Sequence, residues 1–238
     1  MRAEGYHGWR PTNERESPPG LYAPGVERRL EQLYSARRAA LEAEAAVLDA
    51  DREEDLVPIL SEALDAARAH PTRHEASFRL QVLADLLSRV AHPGAVTLLL
   101  DILNDPDDSV RAAAAAATSA AARSRYEQVV QAVRDSLETG FEGPALLELP
   151  SLLLDGAGPD DPVAFDLIVQ LLESDDPDVA AEAACVLAEL GVAGVRELLE
   201  SLQDDDRPLS DAVDGPATVG ALARDLLASM DAPSRGQA

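Results

Sequence analysis

Four histidines, one cysteine and 44 carboxylates are the side chains of this chain with chemistry to offer. His70 and His74 are four apart, a spacing that aligns two ligands on one helix face, but Pro71 lies between them and interrupts any shared helix. A zinc site would need a third ligand. His92 is distant in sequence, and His7 stands near the start. The histidines therefore read as polar residues at corners. Cys185 sits in the run Ala183-Ala184-Cys185-Val186-Leu187. A free Cys on an apolar helix behaves as a small hydrophobe, and no base is spaced to activate it as a nucleophile. Asp160-Asp161, Asp204-Asp205-Asp206 and the pair Asp211 and Asp214 are the densest acids. Oxygen clusters can seat a hard cation, yet none has the spacing or the turn glycine of a calcium loop. They read as solvated loop acids. Gly140, Gly143, Gly156 and Gly158 are scattered at helix ends and form no phosphate-cradling loop. The expectation is a chain with no catalytic residue, metal or cofactor.

The elements that position these residues follow from composition. The chain has 238 residues, of which 43 are Ala and 35 are Leu, against eight aromatics. That balance favours helix over sheet. It has 20 arginines, no lysine and 44 acids, for a net charge of −24. Nucleic-acid binding rests on neutralising phosphates with Lys and Arg, so this charge argues against a nucleic-acid partner. The longest uncharged stretch, about ten residues between Arg111 and Arg123, is too short for a membrane span. With one cysteine and no apolar leader, the chain is expected in the cytoplasm. The charge is uneven. Residues 1–40 carry +2, residues 41–238 carry −26, and the stretch from Asp155 to Asp178 holds eight acids and no base.

Breakers divide the chain. Residues 1–24, with four prolines and three glycines, read as a disordered or extended tail. Trp9 and Tyr22 in that tail are candidate partner anchors. Over residues 25–53, Leu30, Leu33, Arg37, Leu41, Ala45 and Leu48 recur at helical steps and predict one long amphipathic helix. From 54 to 230, Pro71, Pro106, Pro144, Pro177 and Pro208 fall 35, 38, 33 and 31 residues apart, each between two apolar periodic segments. Proline starts helices but does not continue them, so each marks the corner of a helical hairpin. The predicted helices are 26–50, 54–69, 72–91, 94–104, 107–123, 126–139, 143–155, 161–174, 177–190, 192–203 and 215–230. Residues 231–238 read as a second disordered tail. A helix pair repeated at this period is the signature of an α-solenoid.

Two corners are most alike. One runs Leu98-Leu99-Leu100-Asp101-Ile102-Leu103-Asn104-Asp105-Pro106-Asp107-Asp108-Ser109-Val110-Arg111 and then into alanines. The other runs Leu167-Ile168-Val169-Gln170-Leu171-Leu172-Glu173-Ser174-Asp175-Asp176-Pro177-Asp178-Val179 and then into small residues as far as Gly191. In each, an apolar helix meets Asp-Pro, then Val, then closely spaced alanines. Asp caps the second helix, the alanines let it approach its neighbours, and Gly191 permits a left-handed end. This resembles the HEAT-repeat family, over residues 93–123 and 160–203 and more weakly over 54–91 and 126–155. The resemblance implies an all-α, right-handed α-solenoid of about five HEAT-like hairpins, with the long N-terminal helix as its cap. In that family an arginine at the place of Arg111 joins a ladder of ion pairs between repeats. Here the matching place in the later corner is Ala180, so any ladder is short. Some family members hold iron with repeated His-Glu pairs, whereas this chain has the single pair His74-Glu75.

What remains is shape and charge. The second helices of the hairpins begin at Asp107 and Asp108, at Glu142, and at Asp176 and Asp178, and their exposed positions are expected to include Arg111, Glu148, Glu182 and Glu189. The expectation is a non-catalytic protein–protein scaffold whose mostly acidic surface binds a basic protein or peptide. One alternative is an acidic inhibitor or immunity-type protein that masks a basic toxin or nucleic-acid-binding protein. Another is a HEAT-like bilin lyase.

Overall fold

Alanine and leucine, with caps and prolines at regular intervals, fold as those periodicities require. The computed structural model describes residues 24–50, 53–156, 161–192, 194–210 and 215–231. It contains ten α-helices and one short 3-10 turn, and the described residues include no strand. The helices are α1 (Pro24–Ala50), α2 (Glu53–Arg68), α3 (Arg73–Leu87), α4 (Pro93–Leu103), α5 (Asp108–Glu138), α6 (Leu149–Gly156), α7 (Pro162–Leu172), α8 (Pro177–Leu190), α9 (Val195–Ser201) and α10 (Val219–Asp231); the 3-10 turn is Pro144–Leu147. Among the described residues, no helix is long and apolar enough to cross a membrane. The chain divides into two units, Met1–Ala50 and Asp51–Ala238.

The first unit is described by α1. Its residues from Arg28 to Asp49 are exposed except Leu30, Glu44 and Leu48, which are half-buried. In the second unit, each helix packs on its neighbours in chain order. The closest partnerships are α2 with α3, α4 with α5, α5 with α6, α7 with α8, and α9 with α10; in addition α3 packs on α5, α6 on α8, and α8 on α10. The core is built from large aliphatic residues such as Leu64, Leu99, Leu100, Leu103, Leu153, Ile168, Leu187 and Leu199, all fully buried. Against them lie the small residues Ala114, Ala121, Ala122, Ala180, Ala183 and Ala184 of α5 and α8. Small side chains at these positions let helix axes come close, while leucine from the facing helix fills the groove between ridges.

The helices predicted at 107–123 and 126–139 run on from one another as α5 and meet at a kink at Arg125, whose φ of −143° and ψ of 44° leave the helical region. Neither proline nor glycine makes this kink. The Arg125 guanidinium reaches back instead to the carbonyl oxygens of Ser88, at 2.7 Å, and Val90, at the end of α3. A cation on the last carbonyls of a helix satisfies acceptors that have no intrahelical partner. The prolines at the corners differ in role. All five lie between the paired helices, but only Pro177 opens an α-helix, and Pro144 opens the 3-10 turn. Pro71 and Pro106 precede the caps Thr72 and Asp107. Pro208 lies in the segment joining α9 to α10, where it forms a single antiparallel bridge with Thr218. Gly191 takes the left-handed conformation at the end of α8, with φ 60° and ψ 20°, as its position required.

Candidate interaction surface

The acids that the sequence placed at the starts of second helices serve two different purposes. Asp107 is the N-cap of α5. Its carboxylate accepts from the Ser109 backbone N–H at 3.0 Å and hydroxyl at 2.7 Å, and from the Ser77 hydroxyl of α3 at 2.8 Å. These hydrogen bonds, from Ser109 and then Ser77, hold its pKa down at about 2. Asp178 accepts from the Ser210 N–H at 3.0 Å, and the Ser210 side chain first, then this N–H, hold its pKa below the ordinary value. Glu182 of α8 accepts from the Ser151 hydroxyl of α6 at 2.8 Å. The bonds from Ser77, Ser210 and Ser151 each join groups about thirty residues apart in the chain. Asp107, Asp178 and Glu182 are accordingly half-buried.

Arg111 and Glu148, expected to be exposed, are half-buried as well. The Arg111 guanidinium folds down onto its own corner, donating to the Asp105 carbonyl at 3.0 Å and pairing with Asp108. Glu148 follows the 3-10 turn, and its carbonyl accepts the Leu152 N–H of α6 at 3.0 Å. Asp108, Glu142, Asp176 and Glu189 remain exposed. Of these, Asp176 also caps α8 by accepting from the Asp178 N–H at 3.0 Å. Trp9 and Tyr22 lie outside the described residues, as do Asp160, Asp211 and Asp214.

Contacts between distant segments that sequence reasoning missed come from arginine and asparagine. Arg68 of α2 donates to the Asp101 carboxylate of α4 at 2.8 Å and to the Asp101 carbonyl at 2.9 Å. Asn104 donates to the Glu142 carbonyl at 2.8 Å. Arg207 grips Asp205 through two nitrogens, at 2.7 and 3.0 Å, and donates to the Ser174 carbonyl at 2.5 Å. The short ladder expected at Arg111 is replaced by these scattered contacts, for which the sequence shows no repeated signal. Two histidines stand at helix corners, and His7 lies outside the described residues. His92 caps α4 by accepting from the Gly94 N–H at 3.0 Å, and His70 accepts from the Thr72 N–H at 3.2 Å. Cys185 is half-buried, and burial first, then Glu182 and Glu189, raises its thiol pKa, the opposite of what activates a nucleophile. The described residues hold no cluster of three or more metal ligands.

Charge is distributed very unequally along the second unit. Residues 53–138 hold 14 acids and eight arginines, a net of −6. Residues 139–231 hold 21 acids and three arginines, a net of −18. Those three arginines are all engaged internally. Arg196 pairs with Asp231 at 2.5 Å, Arg207 with Asp205, and Arg224 donates to the Gln203 carbonyl. The α6–α10 segment therefore faces its surroundings with exposed acids and little cationic offset. The α3–α5 corner is different. A groove of about 370 Å³ there is lined by Arg73, His74, Ser77, Gln81, Asp107 and Ser109, a mixed set. Beside it, Ala63, Ala66, Phe78, Val82 and Leu83 line an apolar groove of about 320 Å³ between α2 and α3. In comparison with known proteins, no family model matches the chain, and none of the curated proteins does.

Proposed function

We propose that residues 53–231 form a right-handed α-solenoid of about five HEAT-like hairpins, and that this array is a non-catalytic scaffold binding a basic protein or peptide. The hairpins are α2/α3, α4 with the first part of α5, the remainder of α5 with α6, α7/α8 and α9/α10. Packing between helices adjacent in the chain, and between alternate helices such as α6 and α8, supports the array. The two most strongly shifted groups support structure rather than catalysis: Asp107, on the α3–α5 groove, is held at about 2 by the hydrogen bonds it accepts as a cap, and Tyr126 is pushed up to about 12, chiefly by burial. A general acid or base works best with a pKa near neutrality.

The observation that carries the binding function is the −18 charge of residues 139–231, where Arg196 and Arg207 are paired with acids and Arg224 is held on the Gln203 carbonyl. Such a surface raises the encounter rate of a cation-rich partner and gives binding that salt screens. Nucleic acid is repelled by the same field. Fluorescence anisotropy with a labelled arginine-rich peptide tests the reading. Raising salt from about 50 to about 300 mM shortens the screening length to about 6 Å and lowers the affinity at least about tenfold. Affinity that does not change with salt, or an absence of binding at low salt, refutes it.

A further inference from the structure

Helix α1 carries a second pattern beside its general amphipathicity. Leu30, Tyr34, Arg37, Leu41, Glu44 and Leu48 follow one another at alternating steps of four and three, the spacing of a coiled-coil seam. Leu33 and Val47 widen the stripe on one side. Leu33, Tyr34, Leu41 and Val47 are between 42% and 60% exposed. A stripe of this kind along 27 residues of helix gains its stability from burial against another helix.

Charge selects the partner and its direction. Residues 28–38 carry Arg28, Arg29, Arg37 and Arg38 against Glu31, a net of +3, whereas residues 41–49 carry Glu42, Glu44 and Asp49, a net of −3. A parallel pair would stack Arg37 on Arg37 and Glu44 on Glu44, two like-charge layers in the seam. An antiparallel pair centred between Arg37 and Leu41 instead gives the layers Leu30–Leu48, Tyr34–Glu44 and Arg37–Leu41, each made twice. Leucine meets leucine, the Tyr34 hydroxyl reaches a carboxylate, and the Arg37 stem lies along leucine with its charge at the rim. The basic half of each helix covers the acidic half of the other. Arg38 meets its own copy at the edge of the seam, a solvent-screened contact whose cost is small beside the pairing of the halves.

We infer that α1 is a self-association surface, and that two copies of this chain pair through it as an antiparallel coiled coil. The pairing is independent of the acidic surface proposed above, and it makes the scaffold bivalent. The test uses the full chain with Cys185 replaced by serine. Sedimentation equilibrium gives a dimer, and Leu30→Asp, which puts a carboxylate opposite Leu48 in two layers, raises its dissociation constant about 100-fold. Circular dichroism of the same variant, with its main melting transition unchanged, separates lost pairing from lost folding. Orientation is read by mild oxidation. A mixture of Leu30→Cys and Leu48→Cys chains forms the mixed disulfide. Leu30→Cys alone forms none, because the two copies of residue 30 lie about 27 Å apart along an antiparallel pair. A monomer at about 100 μM, a dimer unaffected by Leu30→Asp, or ready Leu30→Cys self-crosslinking each overturns the proposal.

Discussion

Replacing Gly220 by alanine isolates how the last hairpin is closed. Gly220 is the second residue of α10, and its N–H donates to the Asp205 carbonyl at 2.9 Å. A Cβ there would lie 2.5 Å from the Gln203 carbonyl oxygen and 2.7 Å from that of Asp205. Ordinary contact begins near 3.4 Å, so the two carbonyls must retreat by roughly 0.7–0.9 Å. Neither is free to do so. The Gln203 oxygen also accepts from Arg224, and the Asp205 backbone is pinned by its side chain's grip on Arg207. Overpacking of this kind costs about 1–3 kcal/mol, and the weakened backbone hydrogen bond adds about 1 kcal/mol. Better helix propensity returns about 1 kcal/mol. The net loss is about 1–3 kcal/mol, which for a unit of this size lowers Tm by roughly 2–10 °C. Thermal unfolding followed by circular dichroism measures it, with Gly215→Ala, where a Cβ meets nothing within 4 Å, as the neutral control. An unchanged or raised Tm for Gly220→Ala refutes the close approach, because helix propensity alone predicts stabilisation.

Other expectations follow from single hydrogen bonds and one helix end. Asp107 is held at a pKa of about 2 against an ordinary 3.8, so its contribution is complete above pH about 4 and is lost as pH falls toward 2. Urea midpoints of Asp107→Asn therefore fall less steeply across that window than those of the unaltered chain, while lying lower near neutral pH. Arg125→Met strips the Ser88 and Val90 carbonyls of their donors and costs about 1–3 kcal/mol in urea unfolding; a change below about 0.5 kcal/mol contradicts the role given to Arg125. Gly191→Ala forces a Cβ into the left-handed end of α8, where φ is 60°, and lowers stability by about 1–2 kcal/mol in the same assay.

Much of the helical layout was legible in the chain because its signals are local. Asp176 before Pro177, and Gly191 at the far end of the same helix, act within one turn, and both do what their types require. The break between 123 and 126 was visible as a lapse in periodicity. What it became, a kink held by Arg125 on α3, depends on atoms 35 and 37 residues away and left no trace in the local pattern. The same reason explains the candidate surface. Asp107, Asp178 and Glu182 looked like free acids on a recognition ridge, yet their partners Ser77, Ser210 and Ser151 are about thirty residues distant, and serine at those positions signals nothing by itself. Pro208 kept the spacing of the other prolines while sitting in a bridged segment, which shows that interval alone does not distinguish a helix start from a loop. The gradient of charge, in contrast, was countable from the beginning. What the sequence did not show is that all three arginines of the acidic segment are engaged internally, two with acids and one with a backbone carbonyl.

The scaffold reading is tested most directly by reversing acids that hold nothing together. Glu142, Asp166 and Glu189 are exposed, and changing all three to arginine moves residues 139–231 from −18 to −12. Isothermal titration of an arginine-rich peptide into the native and altered chains at about 50 mM salt gives the comparison. The account predicts that the altered chain binds at least about tenfold more weakly, with the same melting temperature. Equal affinity for the two chains would contradict it.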